Sequence, residues 1–268
     1  MKHVLAMLIP FVMFLDLTGA MNAAGADFKE KRLTDRVLIL KHAPWEEIMT
    51  VIDTGSSLLV VDTWGSLAAA KSAKIHIDSV FHKPVRYVIN THHHWDHTFG
   101  NAAFPGAEII GHRFCAEDMI ADYGKADVRK SYFKGNVENE SLRTYILNTA
   151  KELENPEFRL VPPTRLTEER DTIRIGDLSV LIYHTPGIHT RSNITIFIPE
   201  MGILFGRRAF ADRENLKLEK GADPLIIARV LEEILSSKKP VRYLIPGHYD
   251  PVENPDLKPA VEQLKRMQ

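Results

Sequence analysis

Thr91-His92-His93-His94-Trp95-Asp96-His97 carries four imidazoles and a carboxylate within seven residues, a density that no helix, core or turn requires. Inside it lies the pattern His-x-His-x-Asp-His, formed by His92, His94, Asp96 and His97. Imidazole nitrogen and carboxylate oxygen are ligands of divalent metals such as zinc. In an extended segment, side chains two apart fall on the same side, so His92 and His94 can share one ion. Two nitrogens do not complete a site. Two later histidines stand beside glycines at the ends of expected strands: His189 in His184-Thr185-Pro186-Gly187-Ile188-His189-Thr190, and His248 in Ile245-Pro246-Gly247-His248-Tyr249. Three neutral imidazoles on zinc leave a fourth position for water, whose pKa falls towards 7 and which becomes a hydroxide nucleophile. Asp96 can orient that water or bind a neighbouring ion, and a second metal can polarise the substrate or hold the leaving group.

Such chemistry needs elements that carry distant histidines to one edge. Short apolar runs alternate with helical patterns, which places the chain in the α/β class. Val37–Leu40, Met49–Ile52 and Ser57–Val61 read as strands, the last two joined by the turn Asp53-Thr54-Gly55-Ser56. Ser66–Phe81 reads as a helix, and Val85–Ile89 as a buried strand that ends at the histidine cluster. After a strand at Glu108–Ile110 comes a less regular stretch, 114–160, with a charged loop (Lys125, Arg129, Lys130, Lys134) read as a solvated face. Its best-defined piece is an amphipathic helix near Asn139–Leu153, and an excursion of this kind could cover a pocket. Thr172–Ile175, Leu178–Tyr183, Asn193–Ile198 and Gly202–Phe205 form a second series of strands, hence a second sheet. Asp223-Pro224 opens a helix through Leu235, and Val241–Ile245 is the last strand before a short terminal helix.

Four features together resemble the metallo-β-lactamase superfamily: the His-x-His-x-Asp-His signature, Pro186-Gly187-Ile188-His189-Thr190, the late Pro246-Gly247-His248, and Val61-Asp62-Thr63 after an early strand. The resemblance covers essentially all of residues 27–268. It implies a four-layer αβ/βα sandwich of two mixed β-sheets flanked by helices, with a metal pocket along one edge. It further implies His92, His94 and His189 at a first zinc, with Asp96, His97 and His248 at a second. Asp62 is expected to hold the metal loop by hydrogen bonding. One departure matters. In relatives, the strand end equivalent to Leu204-Phe205-Gly206-Arg207-Arg208 offers an aspartate that bridges two metals, or a cysteine on the second. Arg208 is placed there, and a slip of one residue would put Arg207 there instead. A guanidinium cannot ligate and stays charged, so one or two zinc ions are expected, the second against this charge. Some superfamily β-lactamases lack this ligand and still bind two zincs. Arg208 could instead recognise a substrate carboxylate or phosphate, or form a salt bridge. Trp95 and His184 are further candidates for the pocket.

The remaining composition sets bounds. With 268 residues, 44% of them apolar and 26% charged, the chain can bury one sizeable core, and a formal charge of -1 argues against nucleic acid as a partner. Residues 1–26 differ in kind: Lys2, an apolar run from Val4 to Leu15, and Ala24-Gly25-Ala26 read as a cleaved secretory signal. The run is shorter than the roughly 20 residues that span a bilayer, so a membrane anchor is disfavoured. Cys115 is the single cysteine, so it can form no internal disulfide, and its helical spacing with Met119 reads as a small buried apolar residue rather than a nucleophile. The expected protein is a periplasmic or secreted zinc hydrolase in which metal-bound hydroxide attacks an amide, lactone, thioester or ester carbonyl of a small molecule. Its rivals are an iron-dependent redox enzyme on a thiol or persulfide, and a non-catalytic exported metal-binding protein.

Overall fold

The computed structural model of the chain describes residues 28–125, 133, 138–156, 158–211 and 216–267. The segment read as a secretory signal, and Arg129, Lys130 and Lys134 of the charged loop, lie outside the described residues. Among those described, two sheets form. The first has seven strands in chain order: β1 (Phe28–Thr34), β2 (Val37–His42), β3 (Glu47–Asp53), β4 (Leu58–Val61), β5 (Val85–Ile89), β6 (Glu108–His112) and β7 (Arg165–Thr167). β1 to β4 pair antiparallel and β4 to β7 parallel. The second runs β8 (Arg170–Ile175), β9 (Leu178–His184), β10 (Ile194–Ile198), β11 (Ile203–Phe205), β12 (Tyr243–Ile245) and β13 (Val252–Glu253), antiparallel except between β11 and β12.

Strand alternation decides the layers. On β2, Val37 and Ile39 face the second sheet, where they meet Ile173, Val180, Ile196 and Ile203 in one buried core. Leu38 and Leu40 face the other way, with Met49 and Val60, onto Ala70, Ala73 and Ile77 of α1 (Leu67–Phe81). On the far side, Phe197, Leu204 and Leu244 pack against α5 (Pro224–Ser236) and α6 (Lys258–Arg266). The result is the expected four-layer αβ/βα sandwich. A fourth, mainly aromatic cluster gathers Trp95, Phe99, Tyr123 and Tyr145, and so joins α2 (Trp95–Thr98), α3 (Arg113–Tyr123) and α4 (Glu140–Glu154). Cys115 of α3 is buried, as its spacing predicts.

The two sheets are also stitched through their backbones along one edge. Ile48 N donates to Gly247 O at 2.9 Å, Ile194 N to Thr91 O at 3.0 Å, and Tyr249 N to Glu46 O at 3.1 Å. This is the edge at which β4, β5, β11 and β12 deliver their C-terminal ends.

Candidate metal centre

Strand ends place the site residues. β5 stops at Ile89, and the buried Asn90 fastens the histidine-bearing loop by donating its amide to Asn101 Oδ1 at 3.0 Å and His97 O at 3.3 Å. The chain then passes through His92 and His94 into the single turn of α2, which carries Asp96 and His97. Asp62, just past β4 with φ 57°, ties this loop together: Oδ1 accepts from Thr91 N at 2.8 Å, and Oδ2 from Thr91 Oγ1 at 2.7 Å and His97 Nδ1 at 2.8 Å.

The histidines and aspartate converge as two triads. Ligand atoms of His92, His94 and His189 all lie within 4.8 Å of one another, and so do those of Asp96, His97 and His248. In the second triad Asp96 Oδ2 stands 3.1 Å from His248 Nε2 and 3.3 Å from His97 Nε2. The triads are neighbours, the His92 and His97 rings being 4.2 Å apart. All six residues line one cavity of about 610 Å³, with Trp45, Ile188, Asn193 and Arg207 also on its walls.

Hydrogen bonding fixes which nitrogen faces inward. The carbonyl of Trp45 can only accept, so His248 Nδ1 carries a proton to it at 2.9 Å and turns Nε2 to the pocket. His97 Nδ1 donates to Asp62 in the same manner. Thr91 gives its hydroxyl proton to Asp62, so its oxygen, 3.1 Å from His92 Nδ1, acts as acceptor there. Among the described residues His92 Nε2 is left buried with no hydrogen-bond partner. Burial, then the charges of His97, His94 and His189, hold the His92 pKa well below its ordinary value. Burial and His93 take His94 down to about 3, and burial and Arg207 take His189 down to about 4. These imidazoles are neutral at neutral pH, the form that ligates. In the second triad burial would raise Asp96, but His97 and His248 outweigh it and hold the carboxyl well below the usual range. Burial would likewise lower His97, but Asp96 and Asp62 push it well up. A three-nitrogen set with an orphaned buried lone pair, beside an O,N,N set, fits zinc-like divalent ions.

The other expected residues divide. Trp95 lines the cavity while its ring packs on Phe133 and Tyr145. Arg208, expected at the metal-facing position, also lines the cavity, but it opens a one-turn helix and donates Nη1 to Asp250 O at 3.0 Å. Arg207 is the guanidinium whose charge acts on His189. Strand parity could have found it, since Ile203 and Phe205 face inward and Arg207 is the next in that series. His184 is not on the cavity wall. Its ring stacks on His112 at 3.7 Å, Nε2 donates to Arg191 O at 2.8 Å, and Nδ1 lies 3.4 Å from the Glu169 carboxylate. His93, between two candidate ligands, points outward to Ser192 Oγ at 3.0 Å and Asp122 at 3.2 Å, and so pins the loop to the His189 turn and to α3. Sequence reading missed Glu47, whose buried carboxylate accepts from Tyr145 OH at 2.9 Å and whose backbone bridges to His248. The only local signal is an acid at the head of an apolar strand.

Comparison with known proteins agrees with this fold. The alkyl/aryl-sulfatase BDS1 of Saccharomyces cerevisiae is 27% identical over 171 residues, 58% of this chain and 26% of that protein. A type 2 metallo-beta-lactamase of Bacteroides fragilis is 23% identical over 118 residues, 43% of this chain and 47% of that protein. The chain thus matches about a quarter of the first relative's length and about half of the second's. Among solved structures, a metallo-beta-lactamase from Pontibacter korlensis superposes with a TM-score of 0.62 at 18% identity, over 89% of this chain and 99% of that one. The inverting sec-alkylsulfatase Pisa1 from Pseudomonas sp. gives 0.63 at 14% identity, over 88% of this chain and 41% of that one. At such identities these two structures speak for the fold alone. The sequence profile of the Metallo-beta-lactamase superfamily matches residues 49–248, a span that begins on β3 and ends on the last ligand candidate, and the chain belongs to that superfamily.

Proposed function

We propose that the protein is an exported, zinc-dependent hydrolase that cleaves an amide, lactone, thioester or ester bond of a small molecule. The observation that carries this reading is the unpartnered, buried Nε2 of His92 within a neutral three-imidazole set, next to an ionised Asp96. His92, His94 and His189 would hold the first ion, and Asp96, His97 and His248 a second. Zinc bound there supplies a Lewis acid and lowers the pKa of water towards 7. Asp96 is the candidate catalytic residue: an ionised carboxylate on the cavity wall can accept a hydrogen bond from the attacking water and so orient it. Asp62 and Thr91 keep the imidazoles aimed, and Trp45, Trp95 and Ile188 give the cavity an apolar wall that limits competing water. The apolar run Val4–Leu15 before Ala24-Gly25-Ala26 supports export.

The test is metal analysis of protein purified from cells without chelator, together with its N-terminal sequence and turnover of a β-lactam, a lactone, a thioester and an aryl ester. Zinc, an N-terminus near residue 27 and turnover of one class are expected. Asp96→Asn should lower kcat about 10²–10⁴-fold. Iron with oxygen consumption on a thiol would replace the hydrolase by the redox reading. Zinc without turnover of any substrate would leave a metal-binding protein.

A further inference from the structure

Arg207 is a charge that no described residue pairs with. β11 turns Ile203 and Phe205 into the space between the sheets, and the chain stays extended through Arg207 at φ -69°, ψ 138°. Its side chain therefore continues the same inward series, and it lines the cavity that holds both triads. Among the described residues it has neither a hydrogen bond nor an ion pair, and Glu219 acts on it through its field alone. Other arginines are engaged: Arg208, also on the cavity wall, on Asp250 O, Arg191 on Asp118 and Arg170 on Glu233. The two acids of the cavity are occupied, Asp96 by His97 and His248 and Asp62 by Thr91 and His97. A half-buried guanidinium offers five N–H donors in a rigid fork, and leaving them unmatched costs free energy that an arriving oxyanion would offset.

We propose that Arg207 anchors the substrate, and that the substrates of this protein carry an oxyanion group, a carboxylate or a sulfate or phosphate, seated on that guanidinium beside the first triad. This rests on the hydrolase reading above. The planar fork can grip either a planar carboxylate or one face of a tetrahedral anion. The charge and the ligand set then divide the work: the triads face the scissile group, and Arg207 fixes its distance and orientation.

Two arms test this. In the first, a neutral aryl ester and its ring-carboxylated analogue are compared on the zinc-loaded wild type, Arg207→Gln and Arg207→Lys. The wild type should favour the carboxylated ester in kcat/KM by about tenfold or more, Arg207→Gln should erase that ratio, and Arg207→Lys should recover part of it. A ratio taken on one variant cancels any loss of folded enzyme. Equal losses on both esters, or no preference in the wild type, would overturn the proposal. The second arm needs no turnover: sulfate, inorganic phosphate and benzoate are titrated calorimetrically into the zinc-loaded wild type and Arg207→Gln. Binding weakened about tenfold by the substitution supports the anchor, and the stronger ligand tells a tetrahedral from a planar anion. Unchanged affinity for all three overturns it. Failure of every ester together with Arg207-dependent anion binding would instead reject the hydrolase reading and keep the anchor.

Discussion

At the residue scale, protonation separates the two triads. His92, His94 and His189 are held neutral, with His94 near 3 and His189 near 4, whereas Asp96 and Asp62 keep a proton on His97 in the metal-free protein. An ion entering the first triad therefore displaces no proton above about pH 5, while one entering the second must expel the proton of His97. Calorimetry at pH 6, below the pKa of about 7 of zinc-bound water, in buffers of different ionisation enthalpy reads this directly. The heat of the first equivalent should be independent of buffer, and the second should vary with the release of about one proton. Proton release with the first equivalent would contradict the assignment. Asp62 bears on the same step, because it accepts from both His97 and Thr91. Asp62→Asn should weaken the second ion about 10–100-fold and the first less, measured by competition with a chromophoric chelator.

The elements around the triads are held by a polar cluster of their own. Glu47, at the head of β3, accepts from Tyr145 OH of α4, and α4 also reaches α1, where Glu152 takes Ser66 Oγ at 2.6 Å and Ala68 N at 3.1 Å. Burial raises the Glu47 pKa, and its bonds with His42 and Tyr145 only partly oppose this. A carboxyl whose folded pKa lies above the unfolded value of about 4.3 adds stability below that value and loses it as pH rises through the folded pKa. In metal-free protein the urea midpoint of the wild type should fall from pH 5 upwards more steeply than that of Glu47→Gln; parallel profiles would show that the carboxyl titrates normally. Tyr145→Phe removes a donor from a buried carboxylate and should cost about 1–3 kcal/mol in the same titration. None of this cluster is legible in the sequence, because residues 47 and 145 share no local window. Strands with apolar alternation, from β2 to β6 and from β8 to β11, are legible, and so are the caps at Ser66, Asn139 and Asp223. β1 is hidden because it is an edge strand written in charges, Lys29 to Arg32, and β7 because three residues make no period. The triads are readable from density and glycine-flanked turns, whereas the distinction between Arg207 and Arg208 depends on where β11 ends.

For the whole molecule, the decisive feature is that the first triad draws His92 and His94 from the end of β5 and His189 from the turn after β9, so an ion there joins the two sheets. At the other end of the sandwich the sheets are joined by Arg36 and Asp177, paired at 2.6 and 2.8 Å but exposed, and a pair in water contributes about 0–1 kcal/mol. Between these ends lies an apolar core built from both sheets, Val37 and Ile39 against Val180 and Ile196, which needs no metal to form. The metal-free protein should thus remain folded, unlike a small zinc domain whose core is too poor to stand alone. The ion should still stabilise it by mass action, by about 2.7 kcal/mol when free zinc stands 100-fold above its Kd. For a chain of this size that is a rise in Tm of about 5–10 °C. Differential scanning calorimetry with and without chelator should show one cooperative transition in both states, separated by that interval. His189→Ala, which removes the second sheet's share of the first triad, should abolish most of the separation, whereas Arg36→Ala should leave it intact. Loss of the cooperative transition on chelation would mean that the metal, rather than the inter-sheet core, holds the sandwich closed.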